Sequence, residues 1–125
     1  MFSIIIPTFN NLPYLKLCIS SIQKNSKFEH EIIPHINEGA DKTEQYLISK
    51  KIKYTITKYN SGICEGMNMA SKKATTDYIL YAHDDFYFLP GWDEVLLNEV
   101  KKIPHNNFCY LYQLILDIHL IIKKL

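Results

Sequence analysis

Four short strand-like runs, separated by segments with helical spacing, constrain the fold of this chain more than any other feature. The runs cover residues 2–6, 31–36, 53–57 and 78–82. Between them, apolar side chains recur every three or four positions, as in a helix with one buried face. Strands that alternate with helices predict an α/β, Rossmann-like fold, with a mostly parallel central sheet and helices on both faces.

Four helices are expected in the gaps between these runs and after the last one. Their predicted first residues lie near Leu12, Thr43, Cys64 and Trp92. Asn11 can cap the first helix, and Asp41 with Glu44 has the spacing of a capping box for the second. Trp92 either packs at the start of the last helix, which we favour, or stacks on a bound ligand.

Charge and composition exclude some classes of partner. The 125 residues suffice for one domain with a real core, and the net charge of +1 gives no electrostatic case for nucleic acid. All 14 basic residues are lysines, so the bidentate grip of arginine on phosphate is absent. Any diphosphate bound here must therefore be held by a metal, by lysine or by backbone groups.

Cysteine usage and hydropathy suggest where the protein works. The three cysteines, Cys18, Cys64 and Cys109, are far apart and show neither zinc-ligand spacing nor a disulfide framework. A reducing compartment fits them better. Because no apolar run reaches the length of a membrane span, we expect no transmembrane segment. The predicted location is the cytoplasm, with possible peripheral contact to a membrane.

Two adjacent carboxylates end the fourth strand-like run. Asp84 and Asp85 follow the apolar residues 78–82 almost directly. Open α/β sheets bind ligands at the carboxyl ends of their strands, and Mg²⁺ and Mn²⁺ take carboxylate and phosphate oxygens as ligands. The pair therefore indicates a divalent metal site. The alternative is that both residues only begin a solvated turn before Pro90 and Gly91.

Phosphate loops rich in glycine are missing. Neither a G-x-G-x-x-G sequence after the first strand nor a GKS or GKT triplet occurs, which argues against an ordinary NAD-binding domain or a P-loop NTPase. Three other loops, at residues 7–11, 37–41 and 83–85, follow strand ends and should share one rim. A nucleotide base could lie between the first two, with its diphosphate and metal near the third.

Taken together, these motifs resemble the N-terminal half of a family 2 inverting glycosyltransferase with the GT-A fold. The match extends over roughly residues 1–100 in the family's order. It comprises the opening strand and turn SIIIPTFN from Ser3, the acidic turn NEGADKT from Asn37, the helix NSG to Asn68 and Ala70, the DXD-like HDD from His83, and its exit LPGW from Leu89.

The resemblance implies a role for each matching residue. Pro7 and Thr8 would border the nucleobase, Glu38 would contact the base or ribose, and Asp84 the ribose or sugar side. Asp85 would ligate Mn²⁺ or Mg²⁺. Residues of the nucleotide-sugar site also include Asn10 and Asn68. The expected donor is a UDP-sugar, since UDP is the commonest nucleotide in the family, and the acceptor a saccharide or other hydroxyl compound.

The chain departs from the family pattern in two places. The family often has aspartate at the first position of both acidic turns, where this chain has Asn37 and Ala82-His83. A catalytic base, which normally lies in a following segment of about a hundred residues, is not identifiable. The alternative function is therefore a truncated module that binds a nucleotide-sugar but lacks the acceptor half and the base.

The chain divides into two predicted parts. Residues 1–103 would form the nucleotide-sugar-binding domain, and residues 104–125 an apolar tail that packs on the domain or on a partner. The apolar side chains of this tail would nearly encircle a helix, although its pattern is ambiguous. A homodimer formed through the tail is one possible result.

Overall fold

A computed structural model describes residues 1–103, 109–114 and 117–123, with side chains for residues 1–103. The strands and helices alternate over most of the chain. In order, they are β1 (Phe2–Phe9), α1 (Leu12–Asn25), β2 (Glu31–Asn37), α2 (Thr43–Ser49), β3 (Thr55–Thr57), α3 (Gly62–Ser71), β4 (Tyr78–Tyr81), α4 (Trp92–Lys101), β5 (Cys109–Leu114) and β6 (Asp117–Lys123).

The strands form one sheet in the order β3-β2-β1-β4-β6-β5. The first four are parallel to their neighbours, whereas β6 is antiparallel to β4, and β5 to β6. The predicted α/β fold with a mostly parallel sheet is confirmed. The chain builds outward from β1 to β3 on one side and then returns to place β4 on the other side of β1. The order therefore reverses between β1 and β4, where open α/β sheets form their ligand crevice.

Strand β1 is buried on both faces because helices cover both sides of the sheet. Ile4 and Ile6 belong to a large core that also contains apolar residues of α1, α2 and α4. Ile5, which points to the opposite face, packs in a smaller core with Ala70 of α3 and Ile33 of β2. A strand buried on both faces needs a continuous apolar run, and this explains the Ile4–Ile6 sequence.

The C-terminal segment, whose sequence pattern was ambiguous, contains two strands. Residue pairs from Tyr78 with Lys123 to Tyr81 with Leu120 join β4 to β6. The free edge of β4 offers backbone hydrogen-bond partners, and a segment rich in isoleucine and leucine gains by pairing with it. The side chains after residue 103 lie outside the described part, and the homodimer through the tail stays a prediction.

Asp41 connects the starts of two helices, but not through the predicted capping box. Its carboxylate accepts hydrogen bonds from the N–H of Thr43 at 3.0 Å and from the N–H of Leu12 at 3.3 Å. Glu44 instead accepts the hydroxyl of Tyr54 at 2.8 Å. Asn11 occupies the N-cap position of α1 but makes no capping hydrogen bond with its side chain. The carboxylate of Asp41 thus substitutes for the side chain of Asn11.

Trp92 packs in the core, as the favoured interpretation of the sequence holds. It stacks on Phe2 with the ring centroids 6.0 Å apart, and its indole N–H donates to the Ser26 hydroxyl at 3.0 Å. Beside it, the His30 ring contacts the buried carboxylate of Asp93 at 3.0 Å. These contacts join α4 to the start of β1, at the opposite end of the strand from its carboxyl terminus.

A close approach of α3 to β2 explains the glycine at position 66. A Cβ atom there would lie 2.5 Å from Cδ2 of His35, which is fully buried and hydrogen-bonded to Thr55 at 2.8 Å. A shift of the ring would disturb its hydrogen bonds, because both of its nitrogens contact hydroxyl groups. Only glycine allows α3 to approach the sheet this closely.

We predict that Gly66→Ala lowers the free energy of unfolding by about 1–3 kcal/mol, the usual cost of overpacking. The same change in a His35→Ala background should stabilise α3, because alanine is favoured over glycine by ~1 kcal/mol in a helix. Urea unfolding of the four proteins of this cycle gives the measurement. Equal effects of Gly66→Ala in both backgrounds would contradict the steric explanation.

Two buried histidines should make stability depend on pH. Burial lowers the pKa of His30 despite Asp93, and burial likewise lowers the pKa of His35 despite the nearby Asn37 amide and Glu65 carboxylate. The unfolded chain therefore binds more protons than the folded one just below the ordinary histidine pKa, and stability decreases as the pH falls.

We expect the free energy of unfolding to decrease between pH 7 and pH 5.5, by at most ~1.4 kcal/mol per pH unit for each ring. Urea unfolding at intermediate pH values measures the slope. Replacing His35 by glutamine should reduce the slope, since one of the two rings is removed. If the free energy of unfolding of the wild-type protein stays constant or increases as the pH falls from 7 to 5.5, neither pKa is lowered.

Candidate functional site

A cleft of about 600 Å³ opens at the carboxyl ends of the parallel strands. Its walls come from the loops after β1, β2, β3 and β4. The lining residues are Pro7, Thr8, Phe9, Asn10, Asn11, Asn37, Asn60, Gly62, Ile63, Tyr81, His83 and Asp84. The cleft thus lies across the point where the strand order reverses, the usual ligand position in open α/β sheets.

One hydrogen bond crosses from β1 to the loop after β4. The hydroxyl of Thr8 donates to Oδ2 of Asp84 at 2.7 Å. Thr8 is 2% exposed and is held by the parallel ladder of β1 with β2, whereas Asp84 is half-buried on the cleft wall. The rigid strand therefore orients the carboxylate and leaves its other oxygen for a ligand.

Asp85, the predicted metal ligand, lies next to this pair but outside the cleft lining. Its side chain is exposed, and no group within residues 1–103 forms a hydrogen bond or ion pair with it. Among the described residues, no group of three or more His, Cys, Asp and Glu side chains could hold a metal ion. One or two carboxylates with open positions fit a Mg²⁺ or Mn²⁺ ion that takes further ligands from water and substrate phosphates.

The predicted binding residues divide into two groups. Pro7, Thr8, Asn10 and Asp84 line the cleft together, although they come from the end of β1, the loop after it and the loop after β4. Glu38 and Asn68 do not line it, and both have exposed side chains. The backbone of Glu38 is in the left-handed region, with φ of 68°, and its N–H donates to the carbonyl of Thr57 at 3.0 Å.

Some cleft residues were not assigned from the sequence. Asn37, Asn60, Ile63 and Tyr81 are lining residues that no predicted role covered. Their positions carry a signal: Asn37 and Tyr81 are the last residues of β2 and β4, and the other two follow the end of β3. A rule that takes as candidates the residues at the carboxyl end of each parallel strand and in the loop after it would have included all of them except Ile63, the second residue of α3.

The two carboxylates act on titratable groups near the cleft. The pKa of the Cys18 thiol is raised to about 12, mainly by burial and to a smaller extent by the negative charges of Asp84 and Asp85. Burial also raises the pKa of Tyr81, again with contributions from these two carboxylates and from Cys64. Both groups stay neutral at pH 7, so the Cys18 thiol is not a nucleophile. This end of the cleft favours a cation.

Comparison with protein families identifies the chain. A family model described as Glycosyl transferase family 2 matches residues 3–117. The chain belongs to this family. The resemblance that the motifs suggested is thereby confirmed, and the match extends beyond α4 to the first residue of β6.

Similar proteins are themselves described as uncharacterized glycosyltransferases. One from Haemophilus influenzae is 25% identical over 114 residues, which cover 88% of this chain and 38% of the relative. One from Rickettsia typhi is 33% identical over 109 residues, which cover 84% of this chain and 33% of the relative. The chain therefore spans about a third of the length of these relatives.

Two solved structures illustrate the fold that this chain shares with other proteins. A fragment of S. aureus TarS in complex with UDP superimposes with a TM-score of 0.72 at 22% identity, covering 81% of this chain and 32% of that one. The mannosyltransferase PcManGT from Pyrobaculum calidifontis, in complex with GDP-Man and Mn²⁺, gives a TM-score of 0.68 at 19% identity, covering 86% of this chain and 33% of that one. These similarities confirm the GT-A fold.

A helix that crosses a membrane must be both long and apolar. Over residues 1–103, 109–114 and 117–123, no helix is both long enough and apolar enough to do so. The cytoplasmic location stays a prediction.

We predict that Thr8 and Asp84 are energetically coupled. In a double-mutant cycle of Thr8→Val and Asp84→Ala, the coupling energy for unfolding should be about 1 kcal/mol, because each single change removes the same hydrogen bond. Urea unfolding of the four proteins measures it. As a control, Thr8→Val combined with Asp77→Ala, at the other end of β4, should be additive. A coupling near zero between Thr8 and Asp84 would contradict the prediction.

Proposed function

We propose that this chain is the donor-binding half of an inverting glycosyltransferase, and that its cleft binds a nucleoside-diphosphate sugar. The observation that carries the proposal is the hydrogen bond from Thr8 to Asp84 across the strand reversal, with the exposed carboxylate of Asp85 beside it. It supports a site in which a rigid strand orients one acid toward the nucleotide, while a second acid is available to a cation.

Each residue of the site has a proposed task in sugar transfer. Pro7 and Thr8 border the nucleobase, with Asn10 beside them, and Asp84 accepts from the ribose or the sugar. Glu38 and Asn68, whose exposed side chains lie outside the cleft, would contact the donor only if it extends past the cleft walls. Asp85 would hold Mn²⁺ or Mg²⁺, and such an ion, when bound, neutralises charge on the departing nucleoside diphosphate.

The donor is proposed to be a UDP-sugar, and the acceptor a hydroxyl group. The resemblance to family 2 favours UDP, and TarS, with the same fold, binds UDP. PcManGT binds GDP-Man with Mn²⁺, which supports a nucleotide-sugar donor and a divalent metal without deciding the base. Inversion requires a base that deprotonates the acceptor hydroxyl as it attacks the anomeric carbon.

A second function is favoured by the carboxylates that follow Asp85. Asp93 is fully buried and accepts the N–H groups of Lys27 and Phe28, and Glu94 pairs with the Lys27 ammonium at 2.5 Å. Glu99 pairs with Lys102 at 2.6 Å. Since each carboxylate between Asp85 and residue 103 is engaged in this way, the catalytic base has no candidate there. The chain would then act as a donor-binding module that needs a separate acceptor half.

Calorimetric titration tests the donor site directly. We expect wild-type protein to bind one of UDP, GDP, dTDP and CDP in the presence of Mn²⁺. The Asp85→Ala change should weaken this binding at least about tenfold, because the ion loses a carboxylate ligand. Asp77→Ala is the matched control: it removes an exposed carboxylate at the opposite end of the same strand and should leave the affinity unchanged.

The outcomes separate the two functions and the failure of both. Release of sugar from the nucleotide-sugar, or its transfer to an acceptor, would establish an enzyme. Metal-dependent binding without turnover would favour the donor-binding module. If wild-type protein binds none of the four nucleotides with or without Mn²⁺, the cleft is not a donor site and the proposal is wrong.

A further inference from the structure

Two segments that are distant in the sequence meet at one corner of the sheet and bring five exposed lysines together. This lysine corner comprises three residues between α2 and β3 and two at the end of α3: Lys50, Lys51, Lys53, Lys72 and Lys73. The ammonium of Lys53 donates to the carbonyl of Lys73 at 3.4 Å, and the ammonium of Lys73 donates to the carbonyl of Tyr54 at 3.2 Å. The fold therefore gathers the positive charge of both segments.

Little negative charge balances the lysine corner. Glu31 pairs with Lys53 at 2.5 Å, and no carboxylate within residues 1–103 forms an ion pair with the other four lysines. In the sequence, residues 45–64 contain four lysines and neither Asp nor Glu. Five of the 14 lysines thus lie at one corner of a chain whose net charge is only +1. The corner is strongly positive, and the rest of the chain is negative on balance.

The backbone at Lys51 is one that usually favours glycine. Helix α2 ends in a Schellman motif: the N–H of Lys51 donates to the carbonyl of Ile48 at 3.0 Å, and the N–H of Ile52 donates to the carbonyl of Leu47 at 3.0 Å. Lys51 has a φ of 56°, in the left-handed region that glycine adopts without a steric cost. The helix end therefore does not require a lysine here, and the exposed ammonium is the property that a glycine would lack.

Apolar side chains are exposed beside the lysines. Ile48, in the last turn of α2, is 59% exposed, and Ile56 of β3 is 37% exposed. A groove of about 560 Å³ also opens here, lined by Ile52, Lys53, Tyr54, Thr55, Ile56, Met69 and Lys73. Cationic and apolar side chains on one surface match the boundary of a lipid bilayer, where charged headgroups and hydrocarbon meet.

The arrangement favours a lipid surface over a peptide strand or a nucleic acid. A peptide that extended the sheet would pair with the edge strand β3, but Lys73 covers the carbonyl of Tyr54 directly before that strand. A bidentate grip on the phosphates of a nucleic acid needs arginine, which the chain lacks. Lysines act as point charges, and a cluster of them is attracted to anionic headgroups without a fixed geometry.

We propose that the lysine corner docks the chain on an anionic lipid surface, with the side chain of Ile48 entering the headgroup layer. This inference goes beyond the proposed function and does not rest on it. The lysines precede β3 and β4 and lie at the amino ends of the parallel strands, whereas the cleft lies at their carboxyl ends. A docked chain would therefore keep its cleft open to ligands from the water phase.

Flotation with lipid vesicles measures docking of the full chain. Vesicles of phosphatidylglycerol and phosphatidylcholine in equal parts provide the anionic surface, and vesicles of phosphatidylcholine alone provide the neutral one. The corner variant combines Lys50→Gln with Lys72→Gln. The matched control combines Lys42→Gln with Lys58→Gln, two exposed lysines that follow β2 and β3 at the cleft end of the sheet, so that the net charge changes equally.

We expect wild-type protein to float with the anionic vesicles at low ionic strength, to be released by added salt, and not to float with neutral vesicles. Because each lysine near an anionic surface contributes about fivefold in affinity, the corner variant should bind roughly twentyfold more weakly. The matched control should stay close to wild type. Ile48→Ser, which changes no charge, should also weaken binding.

Lys51→Gly separates docking from folding. It should lower the affinity for anionic vesicles about fivefold, because one charge is lost. It should also raise the Tm, because glycine favours the left-handed backbone at this position. A damaged fold cannot produce both effects together. Asp85→Ala should dock like wild type, so docking and donor binding can fail independently.

Several results would overturn the inference. Wild-type protein that does not float with anionic vesicles would exclude docking, and binding to an oligonucleotide or to polyglutamate in its place would assign the corner to another class of partner. Equal weakening by the corner variant and the matched control would show that net charge, and not the corner, causes the binding. An unchanged affinity of Ile48→Ser would show that this side chain does not enter the headgroup layer.

Discussion

The burial of β1 on both faces is the constraint on which the rest of the structure depends. With Ile4 and Ile6 in one core and Ile5 in the other, β1 has to lie inside the sheet, between β2 and β4. The chain adds β2 and β3 on one side of β1 and then returns to place β4 on the other side. That return creates the reversal of strand order, and with it the crevice in which Thr8 meets Asp84. Core packing and the position of the site thus have one origin.

Much of the fold could be predicted because its signals are local. Continuous apolar runs indicate strands buried on both faces, and the predicted strands and helices of residues 1–103 correspond to those of the structure. The tail could not be assigned in this way, since β6 pairs with β4, a strand about forty residues earlier in the chain, as well as with its neighbour β5. The capping box failed for a similar reason: Glu44 has a better partner in Tyr54, ten residues away.

The residues of the candidate site could be predicted where their position at the end of a strand was enough to identify them. Thr8 and Asp84 could be named from their positions after strand ends, and the structure joins them. The orientation of the Asn37 amide could not, because its oxygen accepts from Ser61, 24 residues further along the chain. Sequence patterns give the residue type at a site, whereas the hydrogen-bond partners decide which atom of that residue a ligand meets.

The distribution of lysines explains why a cation matters for the proposed ligand. Elsewhere in residues 1–103, carboxylates such as Glu31 and Glu94 are paired with lysines. The lining of the cleft includes Asp84 and no lysine, and Asp85 lies beside it with no ion-pair partner in the described part of the chain. A diphosphate that entered alone would meet two carboxylates without compensation, which is unfavourable in a partly buried place. A divalent cation reverses the sign of this interaction, and by linkage the nucleotide and the cation would each increase the affinity for the other.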